Sequence, residues 1–179
     1  MKKRLSLMLI IALMAMMAAG PVVGASSVDY GASGASTKTS YTLEEMLTYA
    51  IQDEYLARAE YDKIMDIFGS QKPFSNIIKA ENTHVDLLEP LFEAYKIDIP
   101  QDTADKLTVV PATLTEAFET GVQAEIDNIA MYNKFLSQDL PEDVREVFTE
   151  LRNASENHLK AFENGLSRNN GSQMGRNRW

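Results

Sequence analysis

The sequence predicts an all-α protein, a bundle of four long helices with one long crossover between the second and the third helix. Four stretches carry apolar residues at the three-to-four-residue spacing of a helix face, and no stretch of useful length alternates apolar and polar residues as a strand would. Two of the four stretches begin with a capping box. The connections between them run short, long and short, an order typical of a bundle with a single crossover.

The first two predicted helices form the first half of the bundle. The first begins at Thr42, whose side chain forms a capping box with Glu45, and it ends at Gly69. The second opens at Pro73, because a proline in the first turn loses no hydrogen bond that the helix needs. Pro90 lies inside the second apolar pattern and is expected to kink the helix or to split off its last turn.

The second half repeats this arrangement after the crossover. Residues 96–110 lack a helical period and contain a proline, so we interpret them as the long crossover. The third helix begins with a second capping box, formed by Thr113 and Glu116. Residues 139–142 form a tight connection to the fourth helix, which is expected to end at Gly165.

The two ends of the chain differ in composition from the predicted bundle. Residues 2–4 are basic, residues 5–19 are apolar apart from one serine, and residues 23–25 are small, which is the pattern of a signal peptide. This pattern predicts export to a secreted, periplasmic or cell-surface location, whereas an uncleaved segment would anchor the protein in a membrane. The predicted organisation is a signal peptide at 1–25, a flexible linker at 26–41, the four-helix bundle at 42–166 and a disordered tail at 167–179.

Composition limits the chemistry and the partners. The chain of 179 residues contains no cysteine, which excludes disulfides, thiolate zinc sites and iron–sulfur clusters. Its net charge is -9, and so acidic a chain is a poor partner for nucleic acid or for an anionic membrane surface. An acidic protein can bind cations, but most acidic proteins are simply soluble, so charge alone does not identify a function.

A glutamate and a histidine interrupt the apolar face of the second predicted helix. Glu81 and His84 are three residues apart, so both side chains lie on the face that the apolar pattern marks as buried. A carboxylate and an imidazole need a compensating partner in a core. A bound metal ion is one such partner, and Glu-x-x-His is the form that the ligands take in carboxylate-bridged two-metal bundles.

Similar residues recur in the two halves of the chain. Glu54 and Tyr61 of the first helix correspond in spacing to Glu125 and Tyr132 of the third. Both glutamates fall in the middle of an apolar pattern, and tyrosines at such positions commonly pack in the core. The first and third helices are therefore each expected to bring one interior carboxylate to the middle of the bundle.

The second and fourth helices show the same kind of correspondence. His84 matches His158 at one constant offset, and the chain has only these two histidines. The same offset places Ser155 where the first half has Glu81. Three interior carboxylates and two histidines at matched depths indicate a metal site, and a hydrogen-bonded polar network of the same residues is the alternative.

These motifs resemble those of the ferritin-like superfamily, and rubrerythrin-type proteins most closely. Residues 54–61 are similar to the first-helix pattern Glu-x-x-Ala-Arg-x-x-Tyr of that group, and Glu81 with His84 to its second-helix ligand pair. The stretch around His158 is similar to its fourth helix and to that of a secreted branch of undefined function. The resemblance covers residues 42–165 and implies a ferritin-like bundle with two irons used in oxidase, peroxidase or storage chemistry.

The resemblance also implies roles for individual residues. Glu81 would bridge two metal ions. Glu54 and His84 would complete one side, and Glu125 and His158 the other. Mixed carboxylate and imidazole ligands suit iron or manganese better than metals that prefer thiolates.

Four further residues are secondary candidates. The family pattern has a second Glu-x-x-His on the fourth helix, whereas this chain has Ser155 in place of that glutamate. One carboxylate bridge is therefore missing, so a single metal ion, or none, is compatible with the ligand set. Ser155 and Asp127 are secondary candidates for a metal contact, and Tyr61 and Tyr132 are secondary catalytic candidates, as hydrogen-bond or radical partners.

Three functions remain open from the sequence. The first is an exported oxidoreductase with two iron or manganese ions that acts on peroxide or dioxygen. The second is a non-catalytic protein that binds or senses iron, manganese or zinc outside the cytoplasm. The third is a metal-free helical module, monomeric or homodimeric, that kept the fold and lost the chemistry. Ser155 favours the last two, and the five retained ligands favour the first two.

Overall fold

A computed structural model describes residues 28–176 of the chain, and within this range there is no β-strand. The elements are α1 (Gly31–Ser36), α2 (Leu43–Phe68), α3 (Phe74–Tyr95), a 3-10 turn (Ala104–Lys106), α4 (Leu114–Leu136) and α5 (Glu142–Arg176). The prediction of an all-α bundle of four long helices with one long crossover is confirmed. The signal peptide predicted at 1–25 and the last three residues of the predicted tail lie outside the described residues. Among the helices described, none is both long enough and apolar enough to cross a membrane.

Both predicted capping boxes are present at the helix starts. The Thr42 hydroxyl accepts a hydrogen bond from the Glu45 backbone N–H at 3.2 Å, and the Glu45 carboxylate accepts one from the Thr42 N–H at 2.9 Å. Thr113 and Glu116 form the same pair of bonds at the start of α4. Each box satisfies two backbone donors that a helix start otherwise leaves unpaired.

The third helix differs in detail from its prediction. It begins at Phe74, one residue after Pro73, and it continues through Pro90 to Tyr95 without the expected split. Pro90 lies on the exposed side of α3, as does Asp86, the residue whose carbonyl loses its partner to the proline. Water can bind that carbonyl, so the helix does not have to end there.

Contacts between the long helices define the topology. Tyr61 of α2 contacts Glu125 of α4. Further along α4, Tyr132 contacts Glu54, which lies earlier in α2, so these two helices are antiparallel. Short connections make α2 antiparallel to α3 and α4 antiparallel to α5. The four helices therefore enclose one common interior.

The crossover returns the chain along the outside of α2. Asp102 lies 2.9 Å from the Arg58 guanidinium, and Asp105 lies 2.9 Å from the Lys63 ammonium. Successive acidic residues of the crossover thus pair with successive basic residues of α2. Such exposed pairs contribute little stability but are consistent with the observed path of the loop.

The segment predicted as a flexible linker contains α1, so that prediction is wrong for its described part. Ala32 and Ala35 are buried, and the Ala32 N–H donates a 2.7 Å hydrogen bond to the Asp53 carboxylate of α2. Gly31 adopts φ 53, and a Cβ there would lie 2.5 Å from an Asp53 oxygen. Small residues at 31–36 allow close approach to α2, whereas by composition alone they are also typical of a linker.

The predicted helix end at Gly165 is also wrong, because α5 continues to Arg176. A Cβ at Gly165 would lie 2.6 Å from the Phe118 ring, and one at Gly121 would lie 2.7 Å from the Phe162 ring. Each glycine therefore makes room for a phenylalanine of the other helix. The side chain of Asn169 donates a 2.7 Å hydrogen bond to Thr115, so part of the predicted disordered tail packs along α4.

Buried apolar side chains form two separate clusters along the bundle. The larger includes Leu88, Phe135 and Phe148, and the smaller includes Phe74 and Phe162. On each long helix a buried polar position lies near the point where the members of one cluster give way to those of the other. The buried polar residues of this middle layer are Glu54, Glu81, His84, Glu125, Asn128 and Ser155. The apolar clusters therefore isolate the polar layer from water at both ends.

Candidate metal centre

The five sequence-predicted ligands meet in the middle layer of the bundle. α2 contributes one of them, α3 two, α4 one and α5 one. They are Glu54, Glu81, His84, Glu125 and His158. Four of these residues are buried, and the His158 side chain is 12% exposed. Each is three or four residues from another buried residue of its own helix, which explains why the bundle interior includes it.

The first group of donors consists of Glu54, Glu81 and His84. The Nδ1 atom of His84 lies 2.7 Å from Oε2 of Glu81 and 3.0 Å from Oε2 of Glu54. The i, i+3 spacing on α3 places Glu81 beside His84, and α2 brings the other carboxylate to them. One ring nitrogen is therefore shared between two carboxylates.

The second group consists of Glu81, Glu125 and His158. The Nδ1 atom of His158 lies 3.2 Å from Oε1 of Glu81 and 3.5 Å from Oε1 of Glu125. Although this nitrogen is buried, it lacks hydrogen-bond geometry to either oxygen. Glu81 belongs to both groups, with one oxygen directed at each histidine. It therefore occupies the bridging position between the two groups.

The spacing of the donor atoms in each group is compatible with a bound metal ion. With metal–ligand bonds of about 2.1 Å, neighbouring ligands lie ~3.0 Å apart in an octahedral site and ~3.4 Å apart in a tetrahedral one. The separations of 2.7 to 3.5 Å between the histidine nitrogens and the carboxylate oxygens are of this size. The Nδ1 atom of His158 has no hydrogen-bond partner, and a bound metal ion would supply a partner for it.

Without a metal ion, protons balance the charges of this layer. Burial alone would lower the pKa of His84, but the carboxylates of Glu54 and Glu81 outweigh it and raise the pKa to about 10. Glu125 and Glu81 likewise outweigh the burial of His158 and raise its pKa to about 9. Both imidazoles are therefore protonated at neutral pH in the metal-free protein.

The glutamates titrate in opposite directions. Burial and the negative charge of Glu81 raise the pKa of Glu54. Burial also acts to raise the pKa of Glu81, but the two positively charged imidazoles beside it, His158 and His84, outweigh that effect and lower it. Burial raises the pKa of Glu125. The shared carboxylate is thus the one that stays charged, as a bridging ligand requires.

Each of the two predicted tyrosines supports a glutamate on the other half of the chain. The Tyr132 hydroxyl donates a 2.8 Å hydrogen bond to Glu54, and the Tyr61 hydroxyl donates one of 3.1 Å to Glu125. Burial raises the pKa of both phenols well above the usual value of tyrosine. Both tyrosines therefore act as neutral hydrogen-bond donors that orient the carboxylates.

Of the two secondary metal-ligand candidates, one is buried beside the centre and the other is exposed to solvent. Ser155 is buried in the middle layer, where its hydroxyl donates to Asn128 Oδ1 at 2.6 Å and approaches the Leu151 carbonyl at 3.0 Å. Asp127 is exposed and accepts a hydrogen bond from Gln123, so its inclusion among the ligand candidates is wrong. It lies two positions from Glu125 on α4, which turns it away from the bundle interior.

Sequence reasoning missed two polar residues beside the centre. Asn128 donates a 2.6 Å hydrogen bond to Asp53, and its own oxygen accepts from Ser155. Burial raises the pKa of Asp53 to about 6, although the hydrogen bonds from the Ala32 N–H and from Asn128 act to lower it. Asn128 follows Glu125 by three residues, so the i, i+3 rule that identified His84 could have identified it.

A known archaeal protein is similar to this chain in sequence and in fold. Uncharacterized protein MJ0754 of Methanocaldococcus jannaschii is 29% identical over 127 residues, which are 62% of this chain and 68% of that protein. The crystal structure of hypothetical protein MJ0754 from Methanococcus jannaschii superposes with a TM-score of 0.64 at 26% identity, covering 74% of this chain and 85% of that chain. Residues 44–176 match the family described as "Uncharacterized protein domain (DUF2202)". Since the match spans most of the chain, the protein belongs to the DUF2202 family.

Proposed function

We propose that the protein binds two divalent metal ions, iron or manganese, in the middle layer of the bundle and uses them in redox chemistry with peroxide or dioxygen. The observation that carries this proposal is the position of Glu81, which lies between two groups that each add one glutamate and one histidine. Carboxylate and imidazole donors suit iron and manganese. Membership of the ferritin-like superfamily is part of the proposal, supported by the single-crossover bundle and by Glu-x-x-His on α3.

When bound, two such ions would supply two electrons to hydrogen peroxide, which with two protons becomes two molecules of water while each ion goes from +2 to +3. The chain positions its donors around the ions and excludes bulk water with the two apolar clusters. Tyr132 and Tyr61 keep Glu54 and Glu125 in place by hydrogen bonds. Both phenols also carry a proton next to the centre, since burial keeps them neutral.

The proposal is tested by metal content and by peroxide turnover in the presence of an added chemical reductant, which returns both ions from +3 to +2. Protein purified without chelators and loaded anaerobically with Fe²⁺ or Mn²⁺ should bind two ions per chain, measured by elemental analysis. His84→Ala should lose metal and turnover, because it removes a donor from the first group. Thr83→Ala is the matched control, since Thr83 is exposed on the same helix. Absence of metal in the loaded wild-type protein would reject the proposal and leave a metal-free polar network.

A non-catalytic metal-binding protein is the second candidate. Ser155 is engaged with Asn128 where a second bridging glutamate would have stood, so the ligand set has one carboxylate fewer. Stoichiometric metal with no peroxide consumption would favour this function over the redox one.

Export is the remaining part of the proposal, and it is supported by the basic, apolar and small-residue pattern of residues 1–25. Expression of the full chain, fractionation of the cells and N-terminal sequencing of the product test it. Cleavage close to Ala25 is expected. A product that keeps its first residues and sediments with membranes would indicate an anchor in place of a signal peptide.

A further inference from the structure

We propose that divalent cations reach the candidate metal centre through a pocket between α1, α2 and α4, with Ala57 and Ala124 between the pocket and the centre. This inference rests on the metal-binding function proposed above. It adds the route by which the ion enters and the side chains that attract it. It also gives a role to α1, whose residues form the outer wall of the pocket.

Two neighbouring cavities mark the route. The outer cavity has a volume of about 240 Å³, and its walls come from α1, α2 and α4. The inner cavity has a volume of about 20 Å³ and is bordered by the three glutamates of the centre. That volume is enough for one water molecule. Asp53, Ala57 and Ala124 line both cavities, so these residues separate the outer cavity from the metal-binding carboxylates.

The charge of the outer cavity selects the class of molecule that would use it. Asp53, Glu60 and Asp127 contribute carboxylates to its lining, and none of the described residues that line it is a lysine, an arginine or a histidine. Carboxylates in a cleft with apolar walls raise the local concentration of cations. Leu56, Ala57 and Ala124 supply apolar wall. The lining therefore favours a divalent cation over an anion.

Small side chains keep the two cavities close to each other. Ala57 of α2 and Ala124 of α4 lie at the level of the centre and line both cavities. Each of them is only partly buried. A leucine at either position would place a branched side chain between the cavities, in an interior where unfilled space is scarce. Such a substitution blocks the route without removing any metal ligand.

The competing route passes His158, which lies outside the two cavities. The side chain of His158 is 12% exposed, so an ion could approach it directly from solvent. His158 lines neither of the two cavities. A substitution at Ala124 therefore leaves this competing route unchanged, and the two routes can be separated by one experiment.

Stopped-flow uptake of Co²⁺ by the metal-free protein provides that experiment, because Co²⁺ absorbs visible light in a way that depends on its ligands. The rate constant of uptake by Ala124→Leu should fall about tenfold, because the added side chain fills the passage. The final number of Co²⁺ ions per chain should stay the same. Ala130→Leu is the control, since Ala130 is exposed on the same helix, and its uptake rate should match that of the wild type.

A charge variant tests the same route without changing side-chain volume. Burial raises the pKa of Glu60 to about 7, so the uptake is measured at pH 8, where this carboxylate is charged. Glu60→Gln should then lower the uptake rate about threefold at low ionic strength, and the difference should shrink as salt screens the remaining charges. Glu119→Gln is the control, because it removes the same charge from an exposed position on α4 that does not line the pocket. If Ala124→Leu does not fold, as judged by circular dichroism, the comparison of Glu60→Gln with Glu119→Gln decides alone.

The outcomes separate the route from the function on which it rests. Slower uptake at unchanged stoichiometry in Ala124→Leu and Glu60→Gln, with both controls like wild type, supports the route. Wild-type rates in both variants overturn the route and leave metal binding intact. Failure of the wild-type protein to bind Co²⁺ at all overturns the proposed function and the route together.

Discussion

The hydroxyl of Tyr132 donates a 2.8 Å hydrogen bond to the carboxylate of Glu54, across the interface between α4 and α2. Tyr61 and Glu125 form the equivalent bond in the opposite direction, at 3.1 Å. Each half of the chain therefore supplies a donor to the other half's glutamate. The weak repeat in the sequence corresponds to a reciprocal exchange of hydrogen bonds around one shared centre.

Tyr132→Phe should lower the free energy of unfolding of the metal-free protein by about 1–2 kcal/mol, because a buried carboxylate oxygen loses its donor. Urea denaturation of the two proteins measures the change. Tyr95→Phe is the matched control, since the hydrogen bond from Tyr95 to Asp143 is exposed and should contribute less. Equal losses in the two variants would contradict a supporting role for Tyr132.

Metal binding should stabilise the folded protein. At a free metal concentration of 100 times Kd, one bound ion adds about 2.7 kcal/mol to the free energy of unfolding, and chelation removes this gain. Glu81→Gln should abolish most of the gain, because Glu81 belongs to both donor groups. Glu89→Gln, at an exposed position on the same helix, should keep it. Thermal unfolding with and without Mn²⁺ measures the difference, and an equal gain in both variants would exclude Glu81 as the bridging residue.

Metal binding should release protons and tighten as pH rises from 6 towards 9. The folded pKa of His84 is raised to about 10 and that of His158 to about 9, so both imidazoles must lose a proton before they can bind a metal ion. The stability of the metal-free protein depends on pH in the opposite direction and falls as pH rises. Because these folded pKa values exceed the unfolded value of about 6.5, the ion pairs of the two imidazoles with the glutamates stabilise the fold fully below that pH. Their contribution is lost as pH rises through 9 to 10.

Calorimetric titration in two buffers of different ionisation enthalpy counts the released protons. The apparent binding enthalpy at pH 7.5 should differ between the buffers, because the buffer takes up protons from the protein. A binding enthalpy that is independent of the buffer would show that the histidines are neutral before the metal arrives, or that they do not bind it.

Ser155→Glu should restore a second Glu-x-x-His and raise metal affinity, because it adds a carboxylate beside the inner cavity. The free energy of unfolding of the metal-free variant should fall by about 2 kcal/mol or more, since the new carboxylate is buried and the hydrogen bond from Ser155 to Asn128 is broken. Ser155→Gln has the same shape without the charge, and it should lose stability without gaining affinity. Metal titrations of both variants measure this, and equal affinities would show that position 155 does not reach the metal.

Gly165→Ala should destabilise the protein by about 1–3 kcal/mol, because the added methyl group overlaps the ring of Phe118. Gly171→Ala, on the same helix with nothing within 4 Å of the added atom, should instead be neutral or stabilising by up to about 1 kcal/mol. Urea denaturation of both variants tests whether α5 packs on α4 through Gly165. Equal effects would place Gly165 beyond the packed part of the helix.

The sequence by itself determines the four long helices, apart from the end of α5, and the identity of the five candidate ligands. A capping box needs only four consecutive residues, so Thr42 and Thr113 mark the helix starts without reference to any other helix. The ligands are recognisable because each interrupts an apolar face, and the spacing of Glu81 and His84 fixes their relation within one turn. Patterns of this kind are local, which is why they can be read from the chain alone.

Tertiary structure decides which side chains meet. Glycine and serine at 31–36 suit a linker and a closely packed helix equally well, and only the approach of Gly31 to Asp53 distinguishes the two. Asn128 engages Ser155 only because α4 and α5 lie side by side at that level. The sharing of Glu81 between two histidines likewise depends on how four helices pack, since spacing along one helix fixes no distance to another.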